Sequence, residues 1–199
     1  MTKPMDQQQE EKRAFARKLN RLRAGVLGAN DGIVSTAGIV MGVAGATFET
    51  GPILIAGIAA LIAGSISMAG GEYASVSAQR DSEIAALKKE RSELENDKSV
   101  AAVEYDDEHV SPMAAAIASF FAFALGSILP IVAISGPWVE HRELATVSSV
   151  VVALALTGFF GARIGGAKPM RAVIRNVVVS LLAMGIAFAI GTALGVAVG

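Results

Sequence analysis

Five long apolar segments divide this chain, and they leave little choice of fold. They run from about Leu22 or Asp31 to Phe48, from about Ile53 to Ala78, from about Met113 to Ile134, from about Leu144 to Ile164, and from about Val173 to Val198. Each can cross a hydrocarbon core of about 30 Å as a helix, which takes about 20 residues. Lipid offers the backbone no hydrogen-bond partners, so a segment of this length spans as a helix. The mean hydropathy of +0.53, with only 18% charged residues, belongs to a polytopic membrane protein. The expected fold is therefore an all-α membrane protein with five transmembrane helices. Pro130 falls in the third segment, where neighbouring helices or waters can satisfy the carbonyl it frees.

Charge sets the orientation. Lys3, Lys12, Arg13, Arg17, Lys18, Arg21 and Arg23 precede the first span. Arg80, Lys88, Lys89, Arg91 and Lys98 separate the second and third spans, and Arg163, Lys168, Arg171 and Arg175 surround the turn between the fourth and fifth. Sixteen of the seventeen Lys and Arg thus fall on one side, and only Arg142 on the other. The positive-inside rule places the N-terminus and the long loop in the cytoplasm. A four-span arrangement would spread basic groups over both sides. Two domains are expected: a basic amphipathic segment over residues 1–22, and a five-helix membrane domain over 23–199 with a short cytoplasmic loop at about 80–112. Phe15, Leu19, Leu22 and Val26 recur at helical spacing, so residues 9–26 either lie on the inner leaflet or form a solvated start to the first helix. SEIAALKKERSELEND has helix formers and no glycine or proline, and it extends the second helix several turns into the cytoplasm.

Two spans carry acids where the membrane would be: Asp31 in the first, and Glu72 in the second, four residues after Met68. A carboxylate in the hydrocarbon costs roughly 2.5 kcal/mol or more, and chains that keep one use it to handle a cation or proton. A thioether one turn from a carboxylate suits a transition metal better than calcium or magnesium. Asp31 lies eight residues past Arg23, about 12 Å in at 1.5 Å per residue. Met68 lies fifteen residues past Ile53, about 22 Å down from the opposite face. The two reach similar depths. Alternatives stand beside these readings: Asp31 as an interfacial N-cap, Met68 as packing, and Glu72 as an interfacial anchor. Met41 and Met184 read as packing. Gly64, Gly70 and Gly71 are expected to bring backbones close, as are the GxxxG spacings Gly38–Gly42 and Gly191–Gly195.

Outside the membrane, Glu83, Glu90, Glu93 and Asp97 share about one helical face, and Asp106, Asp107, Glu108 and His109 follow. These are either a loose attractor of divalent ions or a solvated face, since Lys88, Lys89 and Arg91 are interleaved. His141 reads as a loop residue. There is no cysteine, no HExxH and no phosphate-binding glycine loop, and both histidines lie in loops, so an enzyme is not expected. No signal peptide is expected from the polar start; the net charge of -1 says nothing about partners, and no nucleic acid is expected among them.

The stretches LRAGVLGANDGIVSTAGIVMGVAGA and AGSISMAGGEYASVSAQRD resemble the vacuolar iron transporter, or VIT, family, as do AAAIASFFAFALGSILPIV and TGFFGARIGGAKPMRAVIRNVVVSLLAMGIAFAIGTALG. The resemblance runs from Leu22 to the C-terminus. It implies five membrane helices, a homodimer, and export of Fe(II), often also Mn(II), from the cytosol in exchange for protons. It also implies that Asp31 and Met68 are pathway residues, with Glu72 in the matched GGEY stretch. Iron transporters of this family carry a cytoplasmic metal-binding domain between spans two and three. Only about thirty residues stand here, with Glu90 and Glu93 at matching positions, and this shortened loop is similar to the nodulin-21-like subgroup. The expected function is that of a proton-coupled secondary transporter of Fe(II) or Mn(II), with no resident cofactor. Its partners are lipids, divalent metal and a second copy, and its location is a bacterial plasma membrane. The alternative is a membrane scaffold or metal sensor that keeps the fold without transport.

Overall fold

The structure is a computed structural model that describes the backbone of residues 5–96 and 111–198, and the side chains of residues 24–86, 88, 89, 92 and 111–197. Five helices follow one another: α1 (Met5–Ala46), α2 (Thr50–Asn96), α3 (Pro112–Ser135), α4 (Arg142–Ile164) and α5 (Pro169–Val198), with a short 3-10 turn, Val139–His141, leading into α4. All five contain a stretch long and apolar enough to cross a membrane. No strand occurs among the described residues. The expected five-helix membrane fold is the one observed.

At 1.5 Å per residue, the 47 residues of α2 extend about 70 Å, over twice the thickness of a hydrocarbon core. Its polar end therefore projects beyond any membrane. Glu90 and Glu93 fall on this projection, but their side chains lie outside the described residues, as do Asp97, Asp106, Asp107, Glu108 and His109 in full. The backbone of α1 runs unbroken from Met5, so the amphipathic segment and the first span form one helix.

The distribution of side chains is that of a lipid-solvated bundle. Thr36, Ser65, Ser119, Ser127, Thr146 and Ser180 are buried, while Ile55, Ile62, Leu125, Val132, Leu156 and Leu182 are exposed. Where lipid replaces water, exposed apolar surface carries no hydrophobic penalty, and close packing of small residues drives helix association. A Cβ at Gly32 would overlap the backbone of Phe123, and one at Gly126 the carbonyl of Ala29, so α1 and α3 touch backbone to backbone. Gly57 meets Val40 and Ile131, and Gly64 meets the Phe123 ring. The contacts Asn30–Asn176, Gly42–Gly191 and Ala46–Gly195 pair rising numbers with rising numbers, so α1 and α5 run parallel. Gly38, Gly70 and Gly71 depart from expectation: nothing lies within 4 Å of a Cβ built on any of them. They sit on outward faces, where the described residues supply no neighbour. Met41 and Met184 sit in the core beside Ile33, Val40 and Leu154.

Local chemistry explains the helix ends. The Ser111 hydroxyl caps α3 by accepting from the Ala114 N–H, with Pro112 in the first turn. Helix α3 passes through Pro130 and ends where the Trp138 indole N–H donates to the Ala133 carbonyl at 2.8 Å. Helix α4 stops in a Schellman arrangement: Ala167 N–H donates to Ala162 O at 2.8 Å, and Gly166 takes φ +69°, which glycine adopts without strain. Arg142 is no loop cation. It is 2% exposed, and its guanidinium donates to the carbonyls of Phe48 (3.0 Å) and Thr47 (3.3 Å) and pairs with Glu143 at 3.1 Å. A buried charge is tolerable only with such partners. This one ties the α1–α2 turn to the start of α4.

Candidate metal site

Asp31 sits inside α1, far from either end, so the N-cap reading does not hold. Its half-buried carboxylate accepts a 2.7 Å hydrogen bond from the Ser35 hydroxyl, one turn further on. The neighbouring Asn30 carbonyl accepts from the Asn176 amide at 3.1 Å, which joins α1 to α5 at this level. On the other side of α1, Thr36 donates to Ser127 at 2.9 Å, and the Ser127 hydroxyl lies 2.9 Å from the Phe123 carbonyl and 3.3 Å from that of Gly32. Asp31 thus occupies a belt of polar groups held within the membrane span.

Phe123 shows how the depths compare. Its backbone abuts Gly32 and its ring abuts Gly64, so Asp31 and Gly64 lie at about the same level. Met68 follows Gly64 by one helical turn, about 6 Å, toward the end where α2 projects, and Glu72 follows by another. Met68 and Glu72 are both half-buried, in register with the buried positions Ile53, Gly57 and Ser65 of α2. Asp31 and Met68 therefore lie within about a turn of the same depth, as the residue count implies. They do not form a closed cage within one chain. At this level α3 stands between α1 and α2, with the Phe123 ring filling the gap. Among the described residues no group of three or more His, Asp or Glu forms that could hold a metal.

The arrangement has clear chemical capacity. A carboxylate in a low-dielectric setting attracts cations, and a thioether at nearly the same depth favours the softer divalent ions. Beyond Ser35, the stripe Gly38–Gly42 opens into an apolar groove of about 660 Å³, walled on the α5 side by Ala187, Ile190 and Leu194.

Comparison with known proteins bears on this geometry. The VIT family model matches residues 22–105 and 98–192. The chain belongs to the VIT family. It is 37% identical to Vacuolar iron transporter homolog 1 of Arabidopsis thaliana over 193 residues, covering 96% of this chain and 92% of that one. It is 42% identical to Vacuolar iron transporter homolog 5 of Oryza sativa subsp. japonica over 177 residues, covering 87% and 80%. The VIT match takes in Asp31, Met68 and Glu72, the first four spans and most of the fifth. These plant relatives give no support to the expected bacterial plasma membrane, and multi-pass membrane residence is what stands.

The residue reading missed what surrounds Asp31. The Asp31–Ser35 spacing of four is visible in the sequence as one helical turn. The Asn30–Asn176 pair, 146 residues apart, is not, since no local pattern links the two helices.

Proposed function

We propose that this VIT-family chain exports Fe(II) or Mn(II) from the cytosol in exchange for protons. The observation that carries the reading is Asp31: a carboxylate within the first span, inside α1, that accepts from the neutral hydroxyl of Ser35. A group so placed binds a cation when ionised and releases it when protonated. Relatives named as homologs of the vacuolar iron transporter support metal as the cargo. With Arg163, Lys168, Arg171 and Arg175 exposed at one end, the positive-inside rule makes that end cytoplasmic. Metal then meets Glu72, passes Met68 and reaches Asp31. An inward proton gradient drives it outward.

Two copies complete the pathway in this reading. One chain separates Asp31 from Met68 by α3, while Gly38 and the α1–α5 groove leave the Asp31 face of α1 open to a second helix. The test is uptake into proteoliposomes under an imposed pH gradient, with Fe(II), Mn(II), Zn(II) and Ca(II) in turn. Gradient-driven uptake that ranks Fe(II) and Mn(II) first is the expected result. Folded, inserted protein without flux would overturn transport in favour of a scaffold or sensor.

A further inference from the structure

Hydroxyls within helices commonly bond to the carbonyl one turn back, and five described here do, those of Ser127 and Thr146 being buried. Ser82, Ser127, Ser135, Thr146 and Thr192 each donate to the carbonyl four residues earlier. Three buried serines break the pattern. The hydroxyls of Ser65, Ser119 and Ser180 are fully buried and have no hydrogen-bond partner among the described residues. An unsatisfied buried hydroxyl costs about 1–3 kcal/mol, so such a group calls for a water or an ion.

Two of the three lie at the depth of Asp31 and Met68. Helices α2 and α3 run antiparallel, with Gly64 against the Phe123 ring. One turn from that contact toward the projecting end of α2 are Met68 on α2 and Ser119 on α3. Met68 and Ser119 therefore share a level. The Ser119 carbonyl also faces Gly28, one turn before the Asp31–Gly32 pair, so this stretch of α3 borders α1 as well. Ser65 follows Gly64 and belongs to the buried side of α2 with Ile53 and Gly57. Both hydroxyls thus fall in the depth interval from Asp31 to Met68. Ser180 does not share this seam: it lies on α5, one turn beyond Asn176.

We infer that the hydroxyls of Ser119 and Ser65 are neutral oxygen ligands for the divalent cation as it passes between Met68 and Asp31. The inference rests on the reading of Asp31 and Met68 as pathway residues. Hydroxyl oxygens supply hard donors without adding charge. They complement the thioether and leave Asp31 as the group that exchanges a proton.

Mn(II) titration calorimetry on the full chain in nanodiscs tests this, with the thermal midpoint of the metal-free protein read in parallel. Ser119→Ala and Ser65→Ala are each expected to weaken Mn(II) binding about tenfold, the scale of one lost bond to a charged group. Ser180→Ala is expected to leave it unchanged. All three should keep or raise the metal-free midpoint, because each removes an unpaired polar atom. Wild-type affinity in Ser119→Ala and Ser65→Ala, or equal weakening in Ser180→Ala, would overturn the assignment. Asp31→Asn separates the two readings. Binding lost there but retained in the serine variants sinks the hydroxyl ligands alone, whereas binding retained in Asp31→Asn sinks the pathway with them.

Discussion

Asp31 and Ser35 make the smallest unit on which the mechanism turns. Asparagine has the shape of aspartate, and its carbonyl oxygen can still accept from Ser35, so Asp31→Asn should fold normally and lose gradient-driven Mn(II) uptake altogether. Native circular dichroism with background flux is the expected pair of results. Full flux would remove Asp31 from the mechanism. Met68→Leu keeps the bulk and deletes the sulfur. Competition by the soft ion Cd(II) should weaken more than Mn(II) uptake does, as competition assays in the same vesicles would register. At this scale much was legible beforehand. An acid in an apolar run is visible without a structure, since its cost in lipid demands a reason. The spacing of Met68 and Glu72 also puts them on one helical face without further information. Arg142 was not legible. In the sequence it stands as the lone cation of an outer loop, and only the return of the Thr47 and Phe48 carbonyls to its guanidinium makes it a buried clamp.

Helices in this bundle are positioned by what their contacts lack. Where α1 meets α3 and α5, Gly32 and Gly191 let one backbone lie against another. Gly32→Ala would force a methyl into the Phe123 backbone, which cannot give way as a side chain can. A loss of about 1–3 kcal/mol is expected, typical of overpacking, seen as a lower midpoint in detergent unfolding. Gly38→Ala, on an open face, should leave the isolated chain's midpoint unchanged in the same assay. The α1–α2 turn depends on Arg142. Arg142→Ala strands two carbonyls and Glu143, and should cost roughly 3 kcal/mol, which the same measurement would report. The five helices were legible because apolar length is a direct signal. Their mutual packing was only half legible. GxxxG spacing announces a close contact but not its partner, and it marked Gly38 as readily as Gly42, although α5 approaches only the second.

The whole molecule is asymmetric in charge, and its lack of cysteine makes that asymmetry easy to test. Single cysteines at Glu49, in the α1–α2 turn, and at Lys168, in the α4–α5 turn, stand at opposite ends of the bundle. In intact cells a membrane-impermeant maleimide should label the Glu49→Cys variant only if its end faces outward, and the Lys168→Cys variant only after permeabilisation. The reverse pattern would invert the direction proposed for the metal. Between those two ends, Phe123 stands between the helices bearing Asp31 and Met68, its backbone against Gly32 and its ring against Gly64. Gly64 and Phe123 are therefore expected to vary together. A relative that gains a side chain at the position of Gly64 must shed bulk at that of Phe123, and Gly64→Ala should be tolerated here only in company with Phe123→Leu.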